Sequence, residues 1–392
     1  MSSASEQDYI LVGGGLQNGL IALAVLDQQP DARLVLVEAG QSLGGNHTWS
    51  FHPGYRPDGT GRWLDPLVEH SWPRYRVQFP GLTRVLEEPY ATMSSSHFHS
   101  VVSTRIDAAP NATMMLGAFA MEVHPNSVVL ADGTILRGRL VVDARGPDAG
   151  LQSDDTGYQK FVGLEVELAA PISVDTAELM DANVEQLDGF RFVYVLPFSP
   201  TRALIEDTYF SESSTLDVDA VRERVYAYAA ASGLEIVRVI REESGVLPMP
   251  WRAAGPIQRE APFVAGFQGG WFHPATGYSV PVAMRVAHHI AKHGPEDVFG
   301  EAFAALADDH EKQAHFAYLL NELLFTAGKP GQRWRVFEHF YALPEDLVLR
   351  FYGLAMTRAD RLKMFFRRPP KGVSFFKAMK ILPAWAAPWG KG

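Results

Sequence analysis

Two adjacent carboxylic acids, Glu206 and Asp207, stand inside the run Ala203-Leu204-Ile205-Glu206-Asp207-Thr208-Tyr209-Phe210, whose β-branched and aromatic content predicts a strand. A similar run, Phe190 to Leu196, precedes it across a turn bearing Pro197, Ser199 and Pro200. Neighbours on a strand face opposite ways, so Glu206 shares a face with Leu204, Thr208 and Phe210, and Asp207 shares one with Ile205 and Tyr209. The two therefore cannot be a simple proton-sharing dyad. Whichever acid lies on the face that covers a pocket sits among apolar side chains, where a carboxyl stays protonated and can serve as an acid. The alternative is a solvated strand edge that carries two acids.

A second chemistry begins at Gly13-Gly14-Gly15. The apolar run Tyr9 to Val12 ends there, Leu16, Leu20, Leu23 and Leu26 follow at helical spacing, and Arg33 to Val37 is a second apolar run ending in Glu38. Strand, helix, strand and terminal acid fall in the order of a dinucleotide-binding βαβ unit. Gly13 and Gly15 would let the backbone approach a pyrophosphate at the positive end of the helix, and Glu38 could accept from the ribose hydroxyls. Asn18 takes the place of the third glycine of G-x-G-x-x-G, with Gly19 next to it. The acid favours an unphosphorylated ribose, hence NAD or FAD. Further on, Thr113 to Leu140 predicts a β-meander turning at Pro125-Asn126 and Asp132-Gly133, and Leu140-Val141-Val142 a strand ending in Asp143-Ala144-Arg145-Gly146. This layout is similar to FAD-binding folds of the aromatic hydroxylase and geranylgeranyl reductase type, in which the second strand end, here Asp143 and Gly146, lies near the cofactor. A third piece comprises the strand Phe263 to Gly266, a Gly- and aromatic-rich stretch to Tyr278, and a helix opened by Ser279-Val280-Pro281 and closed by Gly294-Pro295. In the resembled folds such a helix aims its positive end at the flavin, favouring an anionic reduced form, which makes Gly277, Tyr278 and Ser279 cofactor candidates. Flavin hydroxylases carry an aspartate just after this strand, whereas Gln268-Gly269-Gly270 stand here.

Positioning these segments takes more than one core, because 392 residues exceed what one usually organises. The expected architecture is α/β: a discontinuous Rossmann-type FAD-binding domain from residues 7–153 and 261–300, an inserted β-rich substrate domain at 154–260, and a helical, membrane-facing region at 301–392. Hydrophobic residues at 47% and charged residues at 20% exclude a disordered chain, and no apolar stretch is long enough to suggest a spanning helix. The absence of cysteine excludes disulfides, a zinc ribbon and a thiol nucleophile, and fits a reducing compartment. No basic region followed by an apolar one opens the chain, so no secretory signal is expected. His289 and His293 are spaced i, i+4 on the proposed helix, and His97 and His99 would share a strand face, but neither pair has an acidic third ligand, so no metal is expected. No G-x-S-x-G elbow suggests a hydrolase.

Several longer words narrow the field. Gly45-Asn46-His47-Thr48-Trp49-Ser50-Phe51-His52, Phe192-Val193-Tyr194, Leu204-Ile205-Glu206-Asp207-Thr208, Phe272-His273-Pro274-Ala275-Thr276-Gly277-Tyr278-Ser279, Arg333-Trp334-Arg335-Val336, Phe340-Tyr341 and Leu343-Pro344-Glu345-Asp346 together resemble the bacterial lycopene β-cyclase family, over residues 8 to about 368. The resemblance implies an FAD-dependent isomerase that closes β-ionone rings at the ends of lycopene without net oxidation, giving γ- and then β-carotene. It places the family's acidic pair on Glu206 and Asp207, with Glu206 the chosen acid. It places the flavin-proximal loop on Phe272 to Ser279.

The implied chemistry protonates a terminal trisubstituted alkene, captures the tertiary cation with the next alkene and releases a ring proton. A donor neutral at pH 7 requires raising a glutamic acid from about 4.3 to above 7, roughly 3.7 kcal/mol, which apolar burial can supply. Trp49, Phe51, Tyr194, Trp271 and Phe272 are candidates to stabilise the cation through their ring faces. A reduced flavin, with NAD(P)H or another reductant as its electron source, would add a negative charge. Other classes remain: an FAD-dependent prenyl reductase or hydroxylase, or a non-catalytic prenyl-binding carrier.

Charge is uneven. The chain carries 35 Lys and Arg against 45 Asp and Glu, yet residues 329–392 hold 13 against 4. Cations there alternate with Phe365, Phe366, Phe375, Phe376, Trp385 and Trp389, an interfacial composition. Nucleic acid is the rival partner for such a tail, but a water-insoluble substrate favours the membrane, so a peripheral protein on the cytoplasmic face is expected. Other carotenoid-pathway enzymes are possible partners.

Overall fold

The structure, a computed structural model, describes residues 6–146, 155–365 and 372–381. The tail residues Phe366, Arg367, Arg368, Lys371, Trp385 and Trp389 lie outside the described residues. Strands Gln7–Val12, Leu34–Glu38, Ala112–Leu116, Ile135–Asp143 and Phe263–Val264 form the parallel part of one seven-stranded sheet, ordered Ala112, Leu34, Gln7, Ile135, with Phe263–Val264 against Ile135–Asp143. Ser127–Leu130 and Ala120–His124 extend it as an antiparallel meander. The meander thus begins at Ala120; the run near Thr113 instead crosses to the far edge beside Leu34–Glu38.

Helix Leu16–Gln28 crosses over this sheet, buried from Leu16 to Leu26 because it packs under helix Val280–Asp297 and beside helix Ser95–Asp107. Gly19 serves that packing. A Cβ there would meet the Phe98 ring at 2.1 Å. Asn18 ties the preceding turn, its Nδ2 donating to the Val12 and Gly13 carbonyls at 2.8 and 2.9 Å. Helix Val280–Asp297 breaks at Gly294, φ 70°, immediately before Pro295.

The second sheet is also seven-stranded, in the order Ile236–Pro250, Thr156–Leu168, Arg202–Ser211, Phe190–Ser199, Thr176–Asp181, Arg74–Phe79 and Leu82–Leu86. The hairpin of the last two strands comes from within the span expected to form the cofactor domain, yet its first strand lies parallel to Thr176–Asp181 and enlarges the second sheet. Helix Val218–Ala231 covers one face through Val221, Val225 and Ala229 on Val162, Leu164 and Ile205. The other face carries Leu204, Phe192 and Phe210 and packs against the C-terminal helices Glu301–Glu322, Trp334–Tyr341 and Glu345–Tyr352. Each fully buried Leu or Phe contributes about 1.5–3 kcal/mol to holding these layers together.

His97 and His99 are on a helix rather than a strand. Ser94 caps it by accepting from the His97 amide at 3.2 Å, which lets a Ser-, Val- and Thr-rich segment wind up. The rings then serve the backbone: His97 Nε2 lies 2.8 Å from the Pro66 carbonyl, and His99 Nδ1 accepts from the Leu43 amide at 3.1 Å. Among the described residues no helix is long and apolar enough to cross a membrane, and no group of three or more potential metal ligands occurs.

Candidate active site

A cavity of about 770 Å³ runs from the glycine turn of the first sheet to the second, with Gly13, Gly15 and Glu38 at one end and Glu206 and Tyr194 at the other. Gly13 has φ 94°, and a Cβ on it would sit 2.7 Å from the Ala144 carbonyl oxygen, so only glycine lets the two strand ends come together. A Cβ on Gly15 would meet nothing within 4 Å. Gly15 is the N-cap of Leu16–Gln28, with no side-chain cap and no acid in the first turn, so the helix presents free amides to the cavity. Glu38 is fixed beside them, accepting from the Gly14 and Gly40 amides at 2.6 Å each. Buried Gln17 Oε1 and Asn18 Oδ1 have no protein partner.

Arg145 and Gly146 also line this end, whereas Asp143 stands behind, gripping Arg145 at 2.8 and 2.9 Å. Gly277, Tyr278 and Ser279 line the wall opposite, where Ser279 starts helix Val280–Asp297 without a side-chain cap. The open Gly15, the uncapped helix start and the fixed acid together fit a dinucleotide.

At the other end, register sets the chemistry. Gly163 pairs with Glu206 on one side and Glu243 on the other, and Glu206 pairs with Tyr194, so Glu243, Gly163, Glu206 and Tyr194 form one row across four strands. A Cβ on Gly163 would lie 3.2 Å from both Glu206 Oε2 and Glu243 Cγ, so the glycine leaves the space between two carboxyl groups open. Glu206 borders the cavity and is half-buried there, enclosed by protein on its other sides. Burial, and next the negative charge of Glu243, push its pKa up to about 8, against a 2.8 Å hydrogen bond from Thr208. Glu243 is 3% exposed and accepts from Arg241 at 2.7 Å and from Thr48 at 2.9 Å. Arg241 also reaches Glu165 at 3.2 Å and Asn46 at 3.0 Å. Burial lowers the pKa of His47, on the same wall, leaving it neutral.

Asp207 points the other way. It lies fully buried beneath helix Val218–Ala231, accepting from Arg191 Nε at 2.8 and 3.1 Å and from the Tyr209 hydroxyl at 2.8 Å. Of the aromatic candidates, Trp49 and Tyr194 line the cavity; Trp271 reaches it while packed among Phe263, Phe303 and His310. Phe51 is buried in the core of the first sheet, and Phe272 stacks on Phe267 at 4.2 Å; neither is on the cavity wall. Glu243, Gly163 and the Tyr90–Tyr278 hydroxyl pair, 2.8 Å apart, were not singled out by the sequence. A strand alternation through Glu243 was its available signal, obscured by the charged run Arg241-Glu242-Glu243. A second cavity of about 210 Å³ shares Gln159, Tyr194, Thr276 and Tyr278 with the first.

A family model described as "Lycopene cyclase protein" matches residues 8–378. The lycopene beta-cyclase of Pantoea ananas is 40% identical over 370 residues, covering 93% of this chain and 95% of that one. That of Pseudescherichia vulneris is 41% identical over 372 residues, covering 93% and 94%. Among solved structures, a geranylgeranyl bacteriochlorophyll reductase-like protein from Thermoplasma acidophilum superposes with a TM-score of 0.63 at 11% identity, over 97% of this chain and 99% of that one. A Pseudomonas aeruginosa protein described as "a probable FAD-dependent monooxygenase" gives 0.60 at 17% identity, over 86% and 100%. At these identities the structural matches establish the fold alone, an α/β type shared with those two proteins.

Proposed function

This chain belongs to the lycopene cyclase family, and from that premise we propose that it is a lycopene β-cyclase, an isomerase in which Glu206 is the proton donor. The observation that carries the reading is a carboxyl held neutral by burial and by Glu243, at the end of a cavity whose opposite end is a dinucleotide cradle. Neutral Glu206 gives its proton to the terminal trisubstituted alkene of lycopene. The resulting tertiary cation is captured by the C5–C6 alkene, and the proton lost in forming the ring alkene balances the one added, so no redox equivalent is consumed. Tyr194, next to Glu206 in the row, and Trp49 offer ring faces worth roughly 0.5–2 kcal/mol each to the cation. FAD held at Gly13, Gly15, Glu38 and the start of helix Leu16–Gln28 would, when reduced by NAD(P)H or another donor, supply a negative charge toward that cation. Asp207 does not touch the cavity and acts as a structural ion-pair partner.

The cofactor region, substrate sheet and C-terminal helices divide the work, with the basic, aromatic C-terminal region placing the protein on a membrane surface where its substrate resides. Anaerobic incubation with lycopene, liposomes and either reduced or oxidised FAD in D₂O tests the reading. Chromatography should show cyclised product with one deuterium in the methylene beside the gem-dimethyl carbon of each new ring. Unlabelled product would exclude protonation as the first step. Stoichiometric NAD(P)H consumption with a saturated or oxygenated product would replace the cyclase by a reductase or hydroxylase.

A further inference from the structure

The proposed cyclisation uses the first cavity and leaves the second without a role. That second cavity lies between Phe192 and Phe210 of the sheet and Leu320, Leu324, Phe337 and Phe340 of the C-terminal helices, meeting the first at Tyr194 and Tyr278. Three of its polar side chains are engaged within the protein, while Gln159, where the two cavities meet, keeps a buried Oε1 without a hydrogen-bond partner. The Tyr278 hydroxyl pairs with Tyr90 at 2.8 Å, the Tyr352 hydroxyl with Tyr341, and the Asn321 amide donates to the Pro250 and Pro274 carbonyls at 2.8 Å each. Among the described residues no Asp, Glu, Lys or Arg stands on its wall. Such a wall gains from burying hydrocarbon and would leave the polar groups of a charged ligand unmatched.

Part of that wall, away from the first cavity, is Val373 and Ala378. They belong to the segment 372–381, which is laid across the end of helix Glu301–Glu322 by a few bonds. The Lys329 amide donates to Gly372 at 3.0 Å, the Ser374 amide to Ala327 at 2.9 Å, and Lys377 Nζ to Thr326 at 3.0 Å. On its outer side Phe376 is 83% exposed and Met379 50%. The closing segment is therefore apolar toward the cavity and carries large apolar groups outward as well.

We propose that the second cavity seats the stretch of the substrate's conjugated chain next to the end group reacting at Glu206, with residues 372–381 forming its far wall. The inference rests on the cyclase reading and adds the place where an uncharged polyene is held. Affinity then comes from the chain and chemistry from the end group, two functions on two walls joined at Tyr194 and Tyr278.

The test compares the parent with Ala378→Trp and Val373→Trp, which fill the cavity from two sides, so that a folding defect of one is not mistaken for closure. Thermal midpoint and flavin content serve as folding controls. Lycopene binding is read from the shift of its absorption band and turnover from product. A truncated polyene that keeps one acyclic end but is too short to enter the second cavity is run as a competitive inhibitor. Both variants should bind lycopene and turn it over roughly tenfold less well in kcat/KM, the loss expected when about two chain carbons are displaced from an apolar slot. The inhibition constant of the truncated polyene should stay at the parental value. Unchanged lycopene binding in both variants, or equal losses for lycopene and the truncated polyene, would overturn the proposal. A parent that binds lycopene in this slot-dependent way yet closes no ring would sink the cyclase reading alone.

Discussion

Replacing Glu243 by Gln should move the pH limit of the reaction toward acid without touching the proton donor. Glu206 Oε2 and Glu243 Cγ each lie 3.2 Å from the same point above Gly163 and so no more than 6.4 Å from each other, which makes the charge separation on the order of 7 Å. At an effective dielectric constant near 20 their repulsion is about 2.4 kcal/mol, equivalent to about 1.7 pH units. Glu206, held at about 8 in the parent, would then titrate near 6.3. The other charged or titratable groups around it are Arg241, whose cation would remain and pull the same way, His47, which burial keeps neutral, Tyr194, whose phenol burial pushes far up and keeps neutral, and Asp207 across the strand. At pH 8 the protonated fraction falls from about half to about 2%, so kcat should drop roughly 25-fold, while at pH 5.5 it should stay close to parental. The assay is kcat against pH with reduced flavin and saturating lycopene, alongside flavin content at each pH. An alkaline limb that stays near pH 8, or a loss of the same size at every pH, would refute the charge argument.

Three other substitutions separate the roles. Glu206→Gln should lower turnover by about 10²- to 10⁴-fold. It should also stabilise the fold, since a carboxyl raised to about 8 makes the folded chain retain a proton that the unfolded chain releases between about 4.5 and 8. Stability is lost as pH rises through that window, by roughly 3 kcal/mol at pH 7, so denaturant melts of parent and variant should converge at pH 4 and diverge at pH 8. Asp207→Asn removes the charge facing buried Arg191 and should cost about 3 kcal/mol in urea unfolding while kcat per folded molecule stays within a few-fold of the parent. Glu38→Arg deprives the Gly14 and Gly40 amides of their acceptor and should release flavin on gel filtration; retention equal to the parent's would remove Glu38 from the cofactor site.

How much of this was legible in the sequence depended on the range of the interactions involved. The βαβ unit at residues 7–38 was legible because its parts are contiguous and each rests on local periodicity or a glycine turn. The opposed facing of Glu206 and Asp207 was equally so, since alternation along one strand needs no knowledge of its neighbours. Glu243 was not, because its nearness to Glu206 exists only through the pairing of Thr156–Leu168 with two strands at once. Its sequence neighbour Glu242 has the solvated role that a charged run suggests, pairing with Arg222 near the surface. The hairpin Arg74–Leu86 misled for the same reason: nothing local reports that it will join a sheet built some hundred residues later in the chain. His97 and His99 were misplaced by composition, since the Ser94 cap outweighs the β preference of the Val and Thr that follow.

The same strand gives one acid a counter-ion and denies it to the other, and that difference separates structure from chemistry. On the helix-covered face Arg191 meets Asp207 directly, so its charge is balanced where it is buried. On the cavity face Arg241 is the nearest cation, and it is drawn away by Glu243 and Glu165, leaving Glu206 with a neighbour of its own sign and a single hydroxyl donor. Removing Arg241's pull is as important as adding Glu243's push, because a bare guanidinium at this range would return Glu206 to its carboxylate form and leave no proton to give. Gly163 completes the arrangement, since a Cβ there would press within 3.2 Å of both Glu206 Oε2 and Glu243 Cγ. The environment that keeps the Glu206 carboxyl neutral is thus set by the register of four strands rather than by any short motif, and the motif Glu206-Asp207 marks its place without explaining it.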